Sequence, residues 1–309
     1  METLSTWALA AKTALANHEK SIVDFELNTL NFTIQLIGDS LWARCFGKDG
    51  EIAFRMIYCP EGALKLNRKS VAKDNATLSF TSLQGKYKIN ISYQIGNYPI
   101  LKYTTQFVPS QNLLVPFSPR DIIIRGNTSA MPKGQIHVNQ IGTRSGLLYF
   151  SIEKPSLGSV LYLQNLTALA KYNQDTETSA GNTVGGIWPE IGFALPPTTD
   201  KPLLKNTTYI LSDAIIAFDE AIAKNETALT KQYLELLAEV YLTMPKPKTI
   251  YQDWPTILKS GLHDLIDSPG CWSQVNGMQY FNAYISDYET PPEVMVQLAV
   301  LLPLVDYKE

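Results

Sequence analysis

Between Phe25 and Leu163 the chain runs in short segments rich in β-branched and aromatic residues, broken at regular intervals by turn residues. This pattern constrains the fold more than any other feature. Leu30-Asn31-Phe32-Thr33-Ile34-Gln35-Leu36 alternates apolar and polar side chains, as a strand with one buried face does. Similar runs occupy Glu51–Tyr58, Thr77–Ser82, Tyr87–Tyr93, Leu101–Val108, Gln135–Ile141 and Leu147–Ile152. Turn signals separate them, among them Lys48-Asp49-Gly50, Pro60-Glu61-Gly62, Gln84-Gly85, Ser118-Pro119-Arg120 and Arg125-Gly126-Asn127. A single sheet of such strands has an apolar face to hide, so two packed antiparallel sheets are expected.

The pattern then changes. Lys171 to Lys205 carries Gly181, Gly185, Gly186, Pro196, Pro197 and Pro202 but is too apolar for a flexible tether. It reads as an ordered loop pinned to the sandwich by Trp188 and Phe193. From Ser212 the spacing suggests helices. Ser212 can cap a first one bearing Ile215, Phe218 and Ile222, and Thr227 a second one bearing Leu229, Tyr233, Leu236, Leu237, Val240 and Tyr241. Asp253 precedes a third, stopped by Pro269-Gly270. Thr290 and Glu293 form a capping box, with Pro291 at the first helical position, for a fourth that carries Met295, Leu298, Leu301 and Leu302. The expected fold is mixed, β then α. An antiparallel β-sandwich with a short N-terminal helix fills 1–200, and an incomplete α-helical, toroid-like segment fills 201–309. The helices after Thr227 have wide apolar faces and few neighbours, so the expectation is a helical domain that continues past Glu309 or is completed by a partner chain.

Composition narrows the function. A formal net charge of -3 leaves no basic surplus to neutralise phosphates, so nucleic acid is not expected as a partner. No stretch approaches the length of a membrane span. The N-terminus reads as a short surface helix rather than a signal peptide, because Glu2 and Lys12 bracket its apolar stretch and no basic region leads it. That favours a cytoplasmic location. Asn31, Asn75, Asn90, Asn127, Asn165, Asn206 and Asn225 each open an Asn-x-Ser/Thr triplet, which matters only in a secreted chain. Cys45, Cys59 and Cys271 are too few for a disulfide framework, although Cys45 and Cys59 suit neighbouring strands. His18, His137 and His263 lie far apart, and no metal or other cofactor is expected. A P-loop, a GxGxxG turn, HExxH and GxSxG are all missing.

The richest polar and aromatic stretch is Tyr251 to Glu293. Sugars present apolar C–H faces and polar edges, and sites for them combine aromatic platforms with carboxylates and amides. Glycoside hydrolysis also needs two carboxylates flanking the bond. Asp253, Trp254, Trp272, Gln274, Asp287, Tyr288 and Glu293 are the candidate substrate-binding residues. Four of them have a plainer reading. Asp253 suits a helix cap, Glu293 half of the capping box, Trp254 a core position, and Asp287 a turn. No residue is assigned as catalytic acid, base or nucleophile.

Three stretches carry a resemblance: Val184-Gly185-Gly186-Ile187-Trp188-Pro189-Glu190-Ile191-Gly192-Phe193, Cys271-Trp272-Ser273-Gln274 and Pro292-Glu293. Together with the order sandwich, connecting segment, helical hairpins, they resemble glycosidases of the six-hairpin, (α/α)6-toroid type with an N-terminal β-supersandwich. The resemblance implies a glycoside hydrolase acting on a carbohydrate, with catalytic carboxylates in loops at one end of a toroid. It also implies that most of the toroid lies beyond Glu309, so that the catalytic pair is not placed within this chain. Two alternatives compete. One is a noncatalytic carbohydrate- or protein-binding sandwich with an exposed row from Tyr93, Tyr98 and Tyr103. The other is a subunit completed by a partner, with an apolar patch near Val294–Leu304.

Overall fold

The computed structural model describes residues 4–17, 19–128, 130–282 and 294–307 of the 309. They fall into two compact units, Met1–Met244 and Pro245–Glu309.

The first unit opens with α1 (Thr6–Leu15), capped by Ser5, whose side chain accepts from the Ala8 N–H. Four antiparallel strands follow in meander order: β1 (Ser21–Leu27), β2 (Leu30–Ile37), β3 (Ser40–Phe46) and β4 (Gly50–Tyr58). Next come β5 (Lys65–Val71), β6 (Asn75–Thr81), β7 (Gly85–Ile95) and β8 (Pro99–Pro109), which belong to a second sheet. The chain returns to the first sheet for β9 (Ile122–Gly126), then adds β10 (Lys133–Gln140), β11 (Ser145–Lys154) and β12 (Gly158–Asn165) to the second. After α2 (Ala170–Thr176) and a small hairpin of β13 (Val184–Ile187) and β14 (Glu190–Phe193), β15 (Tyr209–Asp219) enters the second sheet between β12 and β8. The sheets therefore have five strands, in the order β1-β2-β3-β4-β9, and eight, in the order β10-β11-β12-β15-β8-β7-β6-β5.

Apolar side chains from both inner faces form one core. Phe32 and Phe54 of the five-stranded sheet meet Phe218 of the other edge-on, at 5.3 and 5.9 Å between ring centroids. Parts of the outer faces are covered as well. Ala8, Ala11 and Leu15 of α1 pack on Ile37, Trp42, Ala53 and Ile123. Leu236 and Val240 of α3 (Glu226–Thr243) pack on Ile100, Tyr149, Leu161, Ile215 and Ala217. Strands under a helix are wet on neither face, so β3, β4, β11, β12 and most of β15 are buried almost throughout. β7 lacks such cover and keeps the clean alternation.

A buried ion cluster joins α1 to the sheet. Arg44 binds Glu51 through two nitrogens, at 2.5 and 2.8 Å, reaches Gln35 at 2.6 Å, and donates to the Leu15 carbonyl at the end of α1. Arg125 donates to the same Glu51. These bonds satisfy charges that burial would otherwise penalise.

Several expectations are corrected here. Residues 209–219 form a strand, not a helix capped by Ser212; five consecutive apolar residues, Ala214–Phe218, fit either element until their pairing is known. The second expected helix exists but is capped by Asn225 rather than Thr227. It packs on the sandwich, so the first unit runs past the expected limit at 200, to Met244. Cys45 and Cys59 are both buried as free thiols. The Lys171–Lys205 segment is ordered as expected: Phe193 is buried, and the Trp188 indole donates to the Pro132 carbonyl. Asn165 and Asn225 spend their side chains on Asp213 and on the cap of α3.

The second unit contains α4 (Trp254–Asp267), a hairpin of β16 (Trp272–Val275) and β17 (Met278–Phe281), and α5 (Val294–Asp306). Asn276 and Gly277, both at positive φ, make the tight turn. Gln297 of α5 accepts from the Phe281 N–H and donates to its carbonyl, which fixes α5 to the hairpin edge. α4 has no buried residue. A toroid-like arrangement is not established by these elements. Among the described residues, no helix is long and apolar enough to cross a membrane.

Candidate functional site

The most developed concavity lies in the first unit. A cavity of about 360 Å³ opens where β4, β8 and β15 end, roofed by the Leu113–Pro119 segment. That size lies within the usual range for small-ligand sites. A second cavity of about 310 Å³ lies beside α1 and shares Trp7, Arg55, Phe117, Ser118 and Pro119 with the first. Trp7 of α1 stacks on Phe117 at 4.7 Å, so the N-terminal helix holds the roof.

Arg55 lines both cavities. It sits opposite Trp42 across the β3–β4 ladder, and its guanidinium stacks on that ring at 4.5 Å and on Tyr58 at 5.2 Å. The side chain is 7% exposed. Its Nε and Nη1 are shut off from solvent and have no hydrogen-bond partner, and the same is true of the Trp42 indole Nε1. Burial lowers the Arg55 pKa to about 10, against the opposing pull of Asp39, Tyr58 and Asp121, so the group stays cationic at neutral pH.

Of the carboxylates that act on Arg55, Asp39 acts most strongly and also accepts from the Ser40 hydroxyl, while Asp121 spends its oxygens elsewhere. Oδ1 accepts from the Phe193 N–H at 2.7 Å. Oδ2 accepts from the Tyr162 hydroxyl at 2.6 Å and the Tyr103 hydroxyl at 3.3 Å. Complete burial nevertheless raises its pKa to about 6, those same hydrogen bonds acting the other way. Glu190 is likewise committed, binding the backbone and hydroxyl of Ser5 at 2.5 Å each. Arg120 donates to the carbonyls of Thr183 and Gly192.

The residues singled out from sequence lie in the second unit. Asp253 caps α4, accepting from the Thr256 N–H and hydroxyl, and these bonds lower its pKa. Trp254 is 70% exposed at the start of that helix. Trp272 is half-buried and packs on Phe281 at 4.1 Å, with its indole Nε1 unpartnered. Gln274 is exposed on β16 opposite Gln279. The Asp253–Trp254 pair opens α4, whose fourteen residues, about 21 Å of helix, precede the hairpin. Asp287, Tyr288 and Glu293 lie outside the described residues, as do Thr290 and Pro291. The expected exposed row of tyrosines is corrected: Tyr93 and Tyr103 are buried in the core, and Tyr98 is half-buried against Glu235. His137 is bonded to Ser151 within the sheet, and burial lowers its pKa.

Sequence reading passed over Arg55 and Asp121. The one available signal was a charge inside the apolar run Ile52–Tyr58. No protein-family model, curated protein or solved structure matches the chain.

Proposed function

We propose that this chain serves carbohydrate processing, as the β-supersandwich portion of a glycoside hydrolase. The observation that carries this reading is the order of parts. Two antiparallel sheets of five and eight strands precede helices that leave apolar side chains uncovered. Trp254 and Trp272 add aromatic surface of the kind that stacks on sugar C–H faces. The catalytic acid and base are not assigned to any residue of this chain.

The test is a glycan array with saturation-transfer NMR on the full chain, alongside a panel of aryl glycosides. The expected result is a saturable oligosaccharide ligand whose binding weakens in Trp254→Ala or Trp272→Ala. A folded chain that neither binds nor cleaves any member of a panel of neutral, acidic and amino sugars overturns the reading.

A second reading has its own support. Met295, Leu298, Leu301, Leu302 and Val305 of α5 are all exposed, where the partner-completed alternative expects an apolar patch. Under that reading the helical layer is completed by further helices. Light scattering then shows self-association that Leu302→Glu abolishes, or a monomer that exposes enough apolar surface to bind a hydrophobic dye.

A further inference from the structure

We propose that the uncovered outer face of β5, β6 and β7 binds an extended acidic polysaccharide, its anionic groups held by Lys65, Arg68, Lys86 and Lys88. The choice of a glycan rests on the carbohydrate reading, but the ligand lies on the sandwich rather than at Trp254 and Trp272.

Charge is unevenly placed along the chain. Residues 65–109 hold seven lysine and arginine residues and one acid, Asp74, a net charge of +6 in a chain of -3 overall. The strand register gathers four of these cations on one face. Lys65 of β5 and Lys86 of β7 stand on either side of Thr81 of β6, and Arg68 and Lys88 on either side of Ser79. Residues paired across neighbouring strands share a face, so the four form two rows, each about 10 Å across and the two about 7 Å apart along the strands. All four are exposed, and among the described residues none has a carboxylate within ion-pairing distance. Lys69 pairs with buried Leu78, on the other side of β5, and donates to the Ile22 carbonyl. The acids nearest the face are at its margins and have partners of their own. Asp213 accepts from Thr104 and Asn165, and Asp74, in the β5–β6 turn, from Asn75. Glu235 and Glu239 of α3 accept from Tyr98 and Asn97 at the β7–β8 turn. α3 covers this side of the sheet over β11, β12 and β15, and leaves β7 with one wet face.

Protection of a sheet edge accounts for Lys65 and Arg68, since charges on an edge strand deter pairing with another chain. It does not account for Lys86 and Lys88, two strands further in. Like charges gathered without acids repel one another, and a polyanion laid across them relieves that repulsion. The groups between the cations choose among polyanions. Asn67 with Thr81 and Thr77 with Asn90 bond across the strands at 3.1 Å, presenting hydroxyls and amides that both donate and accept. Sugar hydroxyls use both roles, whereas a phosphodiester backbone only accepts. Single-stranded nucleic acid also calls for aromatic platforms. The aromatic residues of β6 and β7, Phe80, Tyr87 and Tyr93, are all buried on the opposite face.

The experiment is calorimetric titration of the full chain at pH 7 in 50 and 200 mM salt. The probes are decasaccharides of polygalacturonate and heparin, the neutral methyl ester of the first, single-stranded DNA of matched charge, and phosphatidylserine vesicles. The expected result is saturable binding of an acidic glycan that weakens about tenfold or more between the two salts, with the ester bound about tenfold or more weaker than its acid. Lys86→Gln combined with Lys88→Gln should weaken that binding about tenfold or more. Lys133→Gln combined with Lys154→Gln makes the same charge change at exposed positions of β10 and β11, and should leave it in place. Neither acidic glycan binding, the Lys86 and Lys88 pair having no effect, or the Lys133 and Lys154 pair having as large an effect overturns the proposal. DNA or vesicles bound as tightly as the glycans also overturn it. The ester bound as tightly as the acid overturns this inference and leaves the carbohydrate reading standing. So does acidic-glycan binding that is lost in Trp254→Ala or Trp272→Ala but kept in the Lys86 and Lys88 pair; the reverse pattern supports the sheet face. The acid–ester comparison on the unmodified chain holds even if a variant does not fold.

Discussion

The Tyr162 hydroxyl donates to the Asp121 carboxylate at 2.6 Å, wholly inside the protein. Tyr162 belongs to β12 of the eight-stranded sheet. Asp121 leads into β9 of the five-stranded sheet, its carbonyl accepting from the Arg55 N–H. One side chain therefore bonds across the sandwich, and through Phe193 it also holds β14.

This arrangement predicts a pH dependence of stability. Burial raises the Asp121 pKa from 3.8 to about 6, so the folded protein binds a proton there more readily than the unfolded chain. The contribution is fully present below about pH 4, is lost as pH rises through about 6, and changes little above that. Asp121→Asn removes the titration. Urea unfolding from pH 4 to 8 should show the stability of the native protein relative to this variant falling by up to about 3 kcal/mol. A difference that stays flat with pH would contradict the assignment.

Gly192 makes that site possible. Its φ is +114°, and an added Cβ would stand 2.2 Å from Asp121 Oδ1. Gly192→Ala is therefore both strained and obstructed, and should cost about 2 kcal/mol or more. The accompanying loss of the Asp121 pH effect would distinguish this cause from general weakening. A variant as stable as the parent would be the contrary result.

Glu51 answers two arginines, and its side chain is 1% exposed. Glu51→Gln should cost about 3 to 5 kcal/mol, because it leaves Arg44 buried with a neutral partner. The paired change Arg44→Met with Glu51→Leu should recover much of that loss. Arg125 can turn to solvent, being 27% exposed. A double variant worse than the sum of the singles would refute the coupling.

The docking of α3 is testable in the same way. Leu236 is fully buried against the outer face of the eight-stranded sheet, and Gln232 bridges the Tyr149 hydroxyl to Asp219. Leu236→Ala should lower the stability of the sandwich by about 2 to 5 kcal/mol. Hydrogen exchange should show the change in β11, β12 and β15 as well as in the helix. If only α3 loses protection, the helix is an appendage.

Much of the sandwich is written locally. Seven of its strands announce themselves as β-branched and aromatic runs between turn residues, and those with one wet face, such as β2 and β7, add the period of alternation. Asp253 likewise declares a helix cap, and the structure uses it as one. The hairpin turn at Asn276-Gly277 is an equally local signal, both residues standing at positive φ.

What the sequence by itself determined is this succession of strands, the two-sheet packing that their apolar faces require, and the ordered segment leading to β15. Tertiary structure alone decided which apolar runs lie under helices. β15 shows why: Ala214–Phe218 has no period of its own and becomes a strand by pairing with β12 on one side and with β8, about a hundred residues earlier, on the other. Arg55 and Asp121 follow the same logic. In sequence one is a charge in a strand and the other follows a turn. They become a buried cation stacked on Trp42 and Tyr58 and a clamp between sheets only when α1 and residues 113–119 close over them. Burial is a property of distant segments brought together, and no local pattern records it.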